Sequence, residues 1–398
     1  MGLASLGSAT LVNGVLNLLI VRSTSTLFGP QFFGTYVATQ SLVGTLCVTF
    51  ASLNLRTTTI ISRRELTSHE LSDGESSRNW HRSPYFTLVC LVILWIGCLP
   101  WISRLLGATQ VPLIPVVLII PMSLLTSIID GALYGLKKFS TVQLLSILST
   151  VMNLTIIIFL QKLNFQSLSV VGILSIAAIP SAAIGALLLQ RQGVLFLAFR
   201  SAVMGAHTIG FFVLWFILRI PQILAPQALG SNNASNVAAL VGIQNLLIMS
   251  MIPLASLLIP FVNDGRSGRM KRYRRCLLLA TLISTVLSLA ISTNSEELLL
   301  LIYGNRFGTH SDLLSWTIFA SIGWCCLVIM VLLEISNNNV TVILFLIPFG
   351  ILLAVLLAIA NSLTTFLLIH SLAGLVGLLW FGTLLFIQKT DDTTTKWI

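Results

Sequence analysis

Twelve apolar stretches, each long enough to cross a bilayer, take up nearly all of the 398 residues. They fall at 3–21, 34–61, 84–106, 112–134, 140–160, 168–190, 202–224, 236–260, 276–292, 312–335, 340–360 and 363–387. A helix of about 20 apolar residues crosses the hydrocarbon core. Lipid offers no partner to a bare peptide group, so only helices and closed barrels cross it. The runs here are continuous in Leu, Ile and Val rather than alternating, which selects helices over barrel strands. The expected fold class is therefore an all-α polytopic membrane protein of about 12 transmembrane helices. Charged residues make up only 9% of the chain, against roughly 25% in a soluble domain. The polar insertions 63–82 and 262–275 are too short to bury a core of their own.

The net charge of +10 is a matter of topology. Cytoplasmic loops are enriched in Lys and Arg, and that bias sets orientation. One basic loop carries Arg63, Arg64, Arg78 and Arg82; the other carries Arg266, Arg269, Lys271, Arg272, Arg274 and Arg275. Six spans lie between them, an even number, so both face one side. Arg56, Lys137, Lys138, Arg191, Arg200, Lys389 and Lys396 fall on that side too, which makes 17 of the 22 basic residues. Arg22, Arg104, Lys162, Arg219 and Arg306 are counted on the other. Both termini are expected in the cytoplasm, and the basic balance calls for no nucleic acid. The N-terminus lacks a basic n-region and leads into many further spans, unlike a cleavable signal peptide. Cys47, Cys90, Cys98, Cys276, Cys325 and Cys326 show no metal-ligand spacing and are read as apolar thiols.

Two pairs of landmarks point to a duplication. Gly29-Pro30 opens span 2, and Gly230-Ser231 opens span 8, 201 residues on. Leu106-Gly107 follows span 3 and Tyr303-Gly304 follows span 9, at an offset of 197. The expectation is six spans plus six, in bundles 1–200 and 201–398 related by an axis along the membrane normal, with a substrate site between them as in many transporters. Outer loops are short. The one after span 1 is expected to run about a dozen residues, and Glu296–Tyr303 is expected to form a short helix within the longest.

Several stretches resemble the multidrug/oligosaccharidyl-lipid/polysaccharide exporter superfamily, nearest to its Wzx-type polysaccharide and O-antigen flippases. That family often shows R-x-L-G-P-x-x-F-G-x-Y between spans 1 and 2; here the stretch is Thr26-Leu27-Phe28-Gly29-Pro30-Gln31-Phe32-Phe33-Gly34-Thr35-Tyr36. The turn Gly131-Ala132-Leu133-Tyr134-Gly135-Leu136-Lys137-Lys138-Phe139, Pro260 before a basic loop, and Ile302-Tyr303-Gly304-Asn305-Arg306-Phe307 match further landmarks in order. The chain departs from the pattern at Thr26, where the family has Arg; the nearest arginine is Arg22. The resemblance implies a MATE-like fold. It also implies that an undecaprenyl-pyrophosphate-linked oligosaccharide passes from the cytoplasmic to the periplasmic leaflet of the inner membrane, for O-antigen and lipopolysaccharide synthesis. The implied partners are that lipid-linked oligosaccharide, membrane lipids, and the polysaccharide polymerase and glycosyltransferases that act beside it.

Such a cargo needs a wet cleft with cations in a low-dielectric slab. Arginine suits pyrophosphate because its planar fork pairs with two oxygens. Arg22 near the outer end of span 1 and Arg56 in the inner part of span 2 are the candidate contacts; snorkelling to the interface is the alternative for each. Asn13 and Asn17 share a helical face and either line the cleft or hydrogen-bond between helices. Arg22 joins that face only if Ser23–Thr26 loosens the helix. Gln40 in span 2 and its counterparts Gln244 and Asn245 in span 8 complete the substrate-binding set.

Ionisable groups at membrane depth are functional candidates by default. Asp130 in span 4 either pairs with Lys137 or Lys138 or exchanges an ion, and Glu334 at the inner end of span 10 either faces water or couples likewise. His207 and His370 are expected to be packed and hydrogen-bonded. Pro121, Pro253 and Pro260 are kink candidates. The basic turn Asp264–Arg269 faintly resembles that of major facilitator transporters. No GxxxxGK[ST] is present, so no nucleotide is called for; no cofactor, metal or covalent chemistry is expected. Two readings stay open beside the flippase: an ion-coupled multidrug or metabolite exporter, MATE-like or major facilitator, and a membrane glycan polymerase or ligase, which needs a large outer loop.

Overall fold

The computed structural model describes residues 2–66, 84–201, 207–263, 269–305, 307, 310–336 and 341–394. Among them every regular element is a helix. In chain order these are α1 (Gly2–Leu66), α2 (Pro84–Gly97), α3 (Leu99–Leu106), α4 (Ile119–Gly135), α5 (Phe139–Lys162), α6 (Ser169–Ser175), α7 (Ala178–Arg191), α8 (Leu195–Ser201), α9 (His207–Asn263), α10 (Arg269–Thr293), α11 (Ser295–Tyr303), α12 (Ser311–Ser336), α13 (Thr341–Ala358) and α14 (Leu363–Thr394). Short 3₁₀ turns, Val111–Leu113 and Pro115–Leu118, lead into α4. The chain divides into two compact units, Met1–Phe212 and Val213–Ile398.

Each of the twelve apolar stretches is helical in its described residues once α1 and α9 are each divided at a glycine: α2 and α3 share the third stretch and α6 and α7 the sixth, while α8 and α11 lie between stretches. Gly29 has φ 62 and ψ 175, and Gly230 has φ 75 and ψ 170. This region is open almost only to glycine. The dozen-residue loop expected after span 1 does not form. The helix runs to Phe28, turns on one residue and restarts at Pro30, where a missing N–H costs nothing and the ring's fixed φ suits a helical start. The chain is equally helical up to Leu229 and from Ser231. The second landmark pair is a pair of helix ends. Gly107 caps α3 and Gly304 caps α11, both with positive φ but with ψ of 33 and 175, so the two turns leave in different directions. α11 is the short helix expected there.

Hydroxyl-rich stretches stay helical because each side chain returns its proton to the same helix. Thr24 donates to the carbonyls of Ile20 and Val21, and Ser25 and Thr26 to that of Arg22. Thr39 and Thr45 donate to Thr35 and Ser41 in the same way. Ser23–Thr26 therefore does not loosen α1, and Arg22 is not rotated onto the Asn13 face.

In the first unit α1 packs along α4 and α5. Gly131 and Gly135, one turn apart, let α4 lie against the second half of α1: a Cβ on Gly131 would stand 2.7 Å from the Asn54 carbonyl oxygen. Thr58 donates across this seam to the Gly131 carbonyl at 3.0 Å. Span 3 is bent by 62° between α2 and α3, and the Trp95 indole pins the bend by donating to the Leu113 carbonyl at 3.1 Å. Pro121 lies in the first turn of α4, where no helical bond is lost, so it makes no kink inside the helix.

In the second unit α12 is the enclosed helix, packed by α10 and α14, with Trp324–Leu333 wholly buried. Gly374 admits the Trp324 ring, whose indole donates to the His370 carbonyl. On α13, Ile347, Ile351 and Val355 form an exposed stripe that continues to Ile359 just beyond the helix. Contiguous apolar surface of this kind is untenable in water, and the molecule is a multi-pass membrane protein. The six cysteines are free thiols; Cys276, Cys325 and Cys326 are buried, whereas Cys90 is exposed on α2.

Candidate functional site

A polar pocket of about 240 Å³ opens inside the first unit, between α4, α5 and α7. Its polar lining is Thr126 and Asp130 from α4, Ser146, Ser149 and Thr150 from α5, and Ser181 from α7; Ile129, Leu145, Ala178 and Ala182 close the rest. On α5 the spacing i, i+3, i+4 puts the three hydroxyls on one face. On α4 the same rule sets Thr126 one turn from Asp130.

Asn13 of α1 braces the pocket from behind. Its Nδ2 donates to Ser146 Oγ at 2.7 Å, and its Oδ1 accepts from Thr150 Oγ1 at 2.6 Å. Thr126 donates to the Met122 carbonyl, Ser181 to that of Ala178, and Thr150 also to that of Ser146, so at these three positions lone pairs remain for the pocket. Ser146 and Ser149 keep hydroxyl protons to offer. With the Asp130 carboxylate the wall suits a cation, a proton or a sugar hydroxyl, and the carboxylate repels an anion.

Asp130 does not pair with Lys137 or Lys138. Among the described residues no side chain ion-pairs or hydrogen-bonds with its carboxylate. The physical reason is the helix end. α4 stops at Gly135, and Lys137, with φ 57, turns the chain away at the surface while Asp130 points inward.

The remaining candidates are scattered. Arg22, Asn17 and Gln40 are exposed. The Arg56 and His207 side chains lie outside the described residues, as do the side chains of Pro253 and Pro260 and the Asp264–Arg269 turn. Gln244 and Asn245 are both buried, unlike Gln40. Gln244 Oε1 lies 3.1 Å from His370 Nε2, whose ring stacks on Trp324 at 5.1 Å. Packing and hydrogen bonding thus account for His370. Neither polar atom of the Asn245 side chain has a partner. Glu334 is buried, and does not face water. Among the described residues no cluster of His, Cys, Asp and Glu could hold a metal. Sequence reasoning missed the α5 hydroxyls. Their spacing was legible, but serines and threonines are ordinary in membrane helices and only the third helix, α7, turns them into a wall.

Neither a protein-family model nor a curated protein sequence matches the chain. Solved structures do. An inward-facing MATE family multidrug resistance transporter of the MOP superfamily aligns with 95% of this chain and 96% of its own, at a TM-score of 0.66 and 13% identity. The lipid II flippase MurJ, in an inward closed conformation, aligns with 96% of this chain and 87% of its own, at 0.69 and 13%. The MATE transporter ClbM gives 0.59 and 12% over 94% and 92%. The chain has the MOP fold.

Proposed function

We propose that this MOP-fold protein is a flippase. It carries an undecaprenyl-pyrophosphate-linked oligosaccharide from the cytoplasmic to the periplasmic leaflet of the inner membrane by alternating access, and performs no covalent chemistry itself. Both termini and both basic loops face the cytoplasm. The observation that carries the transport reading is Asp130, without a salt-bridge partner among the described residues, in a hydroxyl-lined pocket. A carboxylate at membrane depth is costly, and one without a salt-bridge partner is poised to take up a cation or proton and release it as the protein cycles. The cargo follows from the motifs around Gly29, Gly131 and Gly304 and from a fold shared with a lipid II flippase. Arg22 and Arg56 are assigned to its pyrophosphate.

The test is a deletion strain complemented with variants. Loss of the protein should deplete surface polysaccharide and accumulate its lipid-linked precursor; unchanged polysaccharide in a strain without a paralogue overturns the reading. Asp130→Asn should fold but should slow gradient-driven transport in liposomes at least tenfold. Equal rates with and without an imposed proton or sodium gradient, in wild type and variant alike, would remove the coupling role. A second reading, an ion-coupled exporter of small cationic drugs or metabolites, is favoured by the small, acid-bearing pocket. It predicts gradient-driven uptake of a cationic dye by liposomes holding the purified protein, and normal polysaccharide in the deletion strain.

A further inference from the structure

Arg219 was counted on the outer side, and it lies well inside a helix. It stands in the first half of α9, eleven residues before the break at Gly230 and twelve after His207. At 1.5 Å per residue these are about 16 and 18 Å of helix.

The guanidinium has two neighbours. Nη1 donates to Gln222 Oε1 at 3.1 Å, and Cζ lies 5.8 Å from the centre of the Trp215 ring. No carboxylate pairs with it among the described residues. The helix is otherwise well packed: Leu214, Ile217, Leu218, Ile220 and Ile223 are all buried. Trp215, Phe216 and Arg219 form its partly open edge, Arg219 lying three and four residues after the two aromatic rings and so beside both. One of the five N–H donors of the guanidinium is taken by Gln222. A permanent cation, aimed by a glutamine and an indole, thus stands within an apolar helix with most of its donors and its charge unanswered among the described residues.

We propose that Arg219, held by Trp215 and Gln222, binds an anionic oxygen of the transported molecule, either a phosphate of its lipid linkage or a carboxylate of an acidic sugar. This deepens the flippase reading and rests on it for the identity of the cargo. It divides the work between the units: the Asp130 carboxylate in the first repels anions, and Arg219 in the second collects them. The planar fork suits either oxyanion, and the indole holds the guanidinium by cation–π attraction, without neutralising it.

The test is binding to the purified full chain in detergent, with farnesyl pyrophosphate and tri-galacturonate as anionic probes, and farnesol and maltotriose as neutral controls. The probe that the wild type prefers identifies the source of the oxyanion. Arg219→Gln should weaken that probe at least tenfold and leave the controls unchanged. Arg219→Lys, which keeps charge and loses the fork, should fall between. Wild-type affinity for both anions in a monodisperse Arg219→Gln or Arg219→Lys protein overturns the proposal, as does a wild type that binds neither. The two readings fail separately. If deletion depletes polysaccharide while Arg219→Gln restores it and binds normally, the flippase stands and Arg219 is released from its role. If Arg219 governs anion binding but deletion changes no polysaccharide, the anion site stands and the glycan cargo falls.

Discussion

Single residues in this molecule differ in whether their polar groups are answered. Asn13 is engaged at both its amide nitrogen and its carbonyl oxygen, by Ser146 and Thr150. The buried Asn245 has neither a donor nor an acceptor partner among the described residues. An unmade hydrogen bond in a buried site costs about 1–3 kcal/mol, whereas replacement by an apolar group of the same shape is near neutral or stabilising. Asn245→Leu is therefore expected to leave the thermal unfolding midpoint of the purified protein unchanged or raised. A fall of several degrees would show that something besides the protein, water or cargo, completes that amide. Asn13→Ala should do the opposite. Interhelical hydrogen bonds in membranes average about 0.6 kcal/mol each, so the loss of two should cost about 1 kcal/mol in a reversible unfolding titration.

At the scale of elements, close approach of helices is set by glycine. A methyl group on Gly131 would meet the backbone of Asn54, and one on Gly172 would overlap the Pro115 carbonyl. Gly131→Ala must push α4 off α1, and overpacking of this kind costs about 1–3 kcal/mol. Yield and melting point of the purified variant check it, with Gly14→Ala, where a Cβ meets nothing within 4 Å, as control. This is also the reason for the Gly131–Gly135 stretch that was legible in the sequence only as a family landmark. The helical apolar stretches were legible because hydropathy is summed over whole segments. Their joints were not: Gly29 and Gly230 turn the chain on one residue, and a window about 20 residues wide smears such a turn into a loop. For the same reason Arg219, near the end of an expected span at 224, proves to be mid-helix. Asp130 was legible as a deep acid, while its lack of a lysine partner depends on how α4 ends, which pattern alone does not specify.

The whole molecule is two units joined within the long helix α9. The cations that end α1 and begin α10, Arg63, Arg64, Arg269 and Lys271 among them, stand next to the two basic loops in the chain. The proposed topology puts Ile398 in the cytoplasm. A green fluorescent protein joined there should fluoresce, and an alkaline phosphatase should be inactive; the reverse pattern would invert the assignment and with it the direction of transport.

The pair of one-residue turns carries a consequence about handedness. The backbone angles of Gly29 and Gly230, reflected in a mirror, land in the extended polyproline region, where ordinary residues are at ease. An L-alanine at either site would be strained by about 1–3 kcal/mol, but a D-alanine, introduced by semisynthesis, should sit there as comfortably as the native residue. Each unit would then accept a residue of the mirror-image hand at a turn where the ordinary hand is strained.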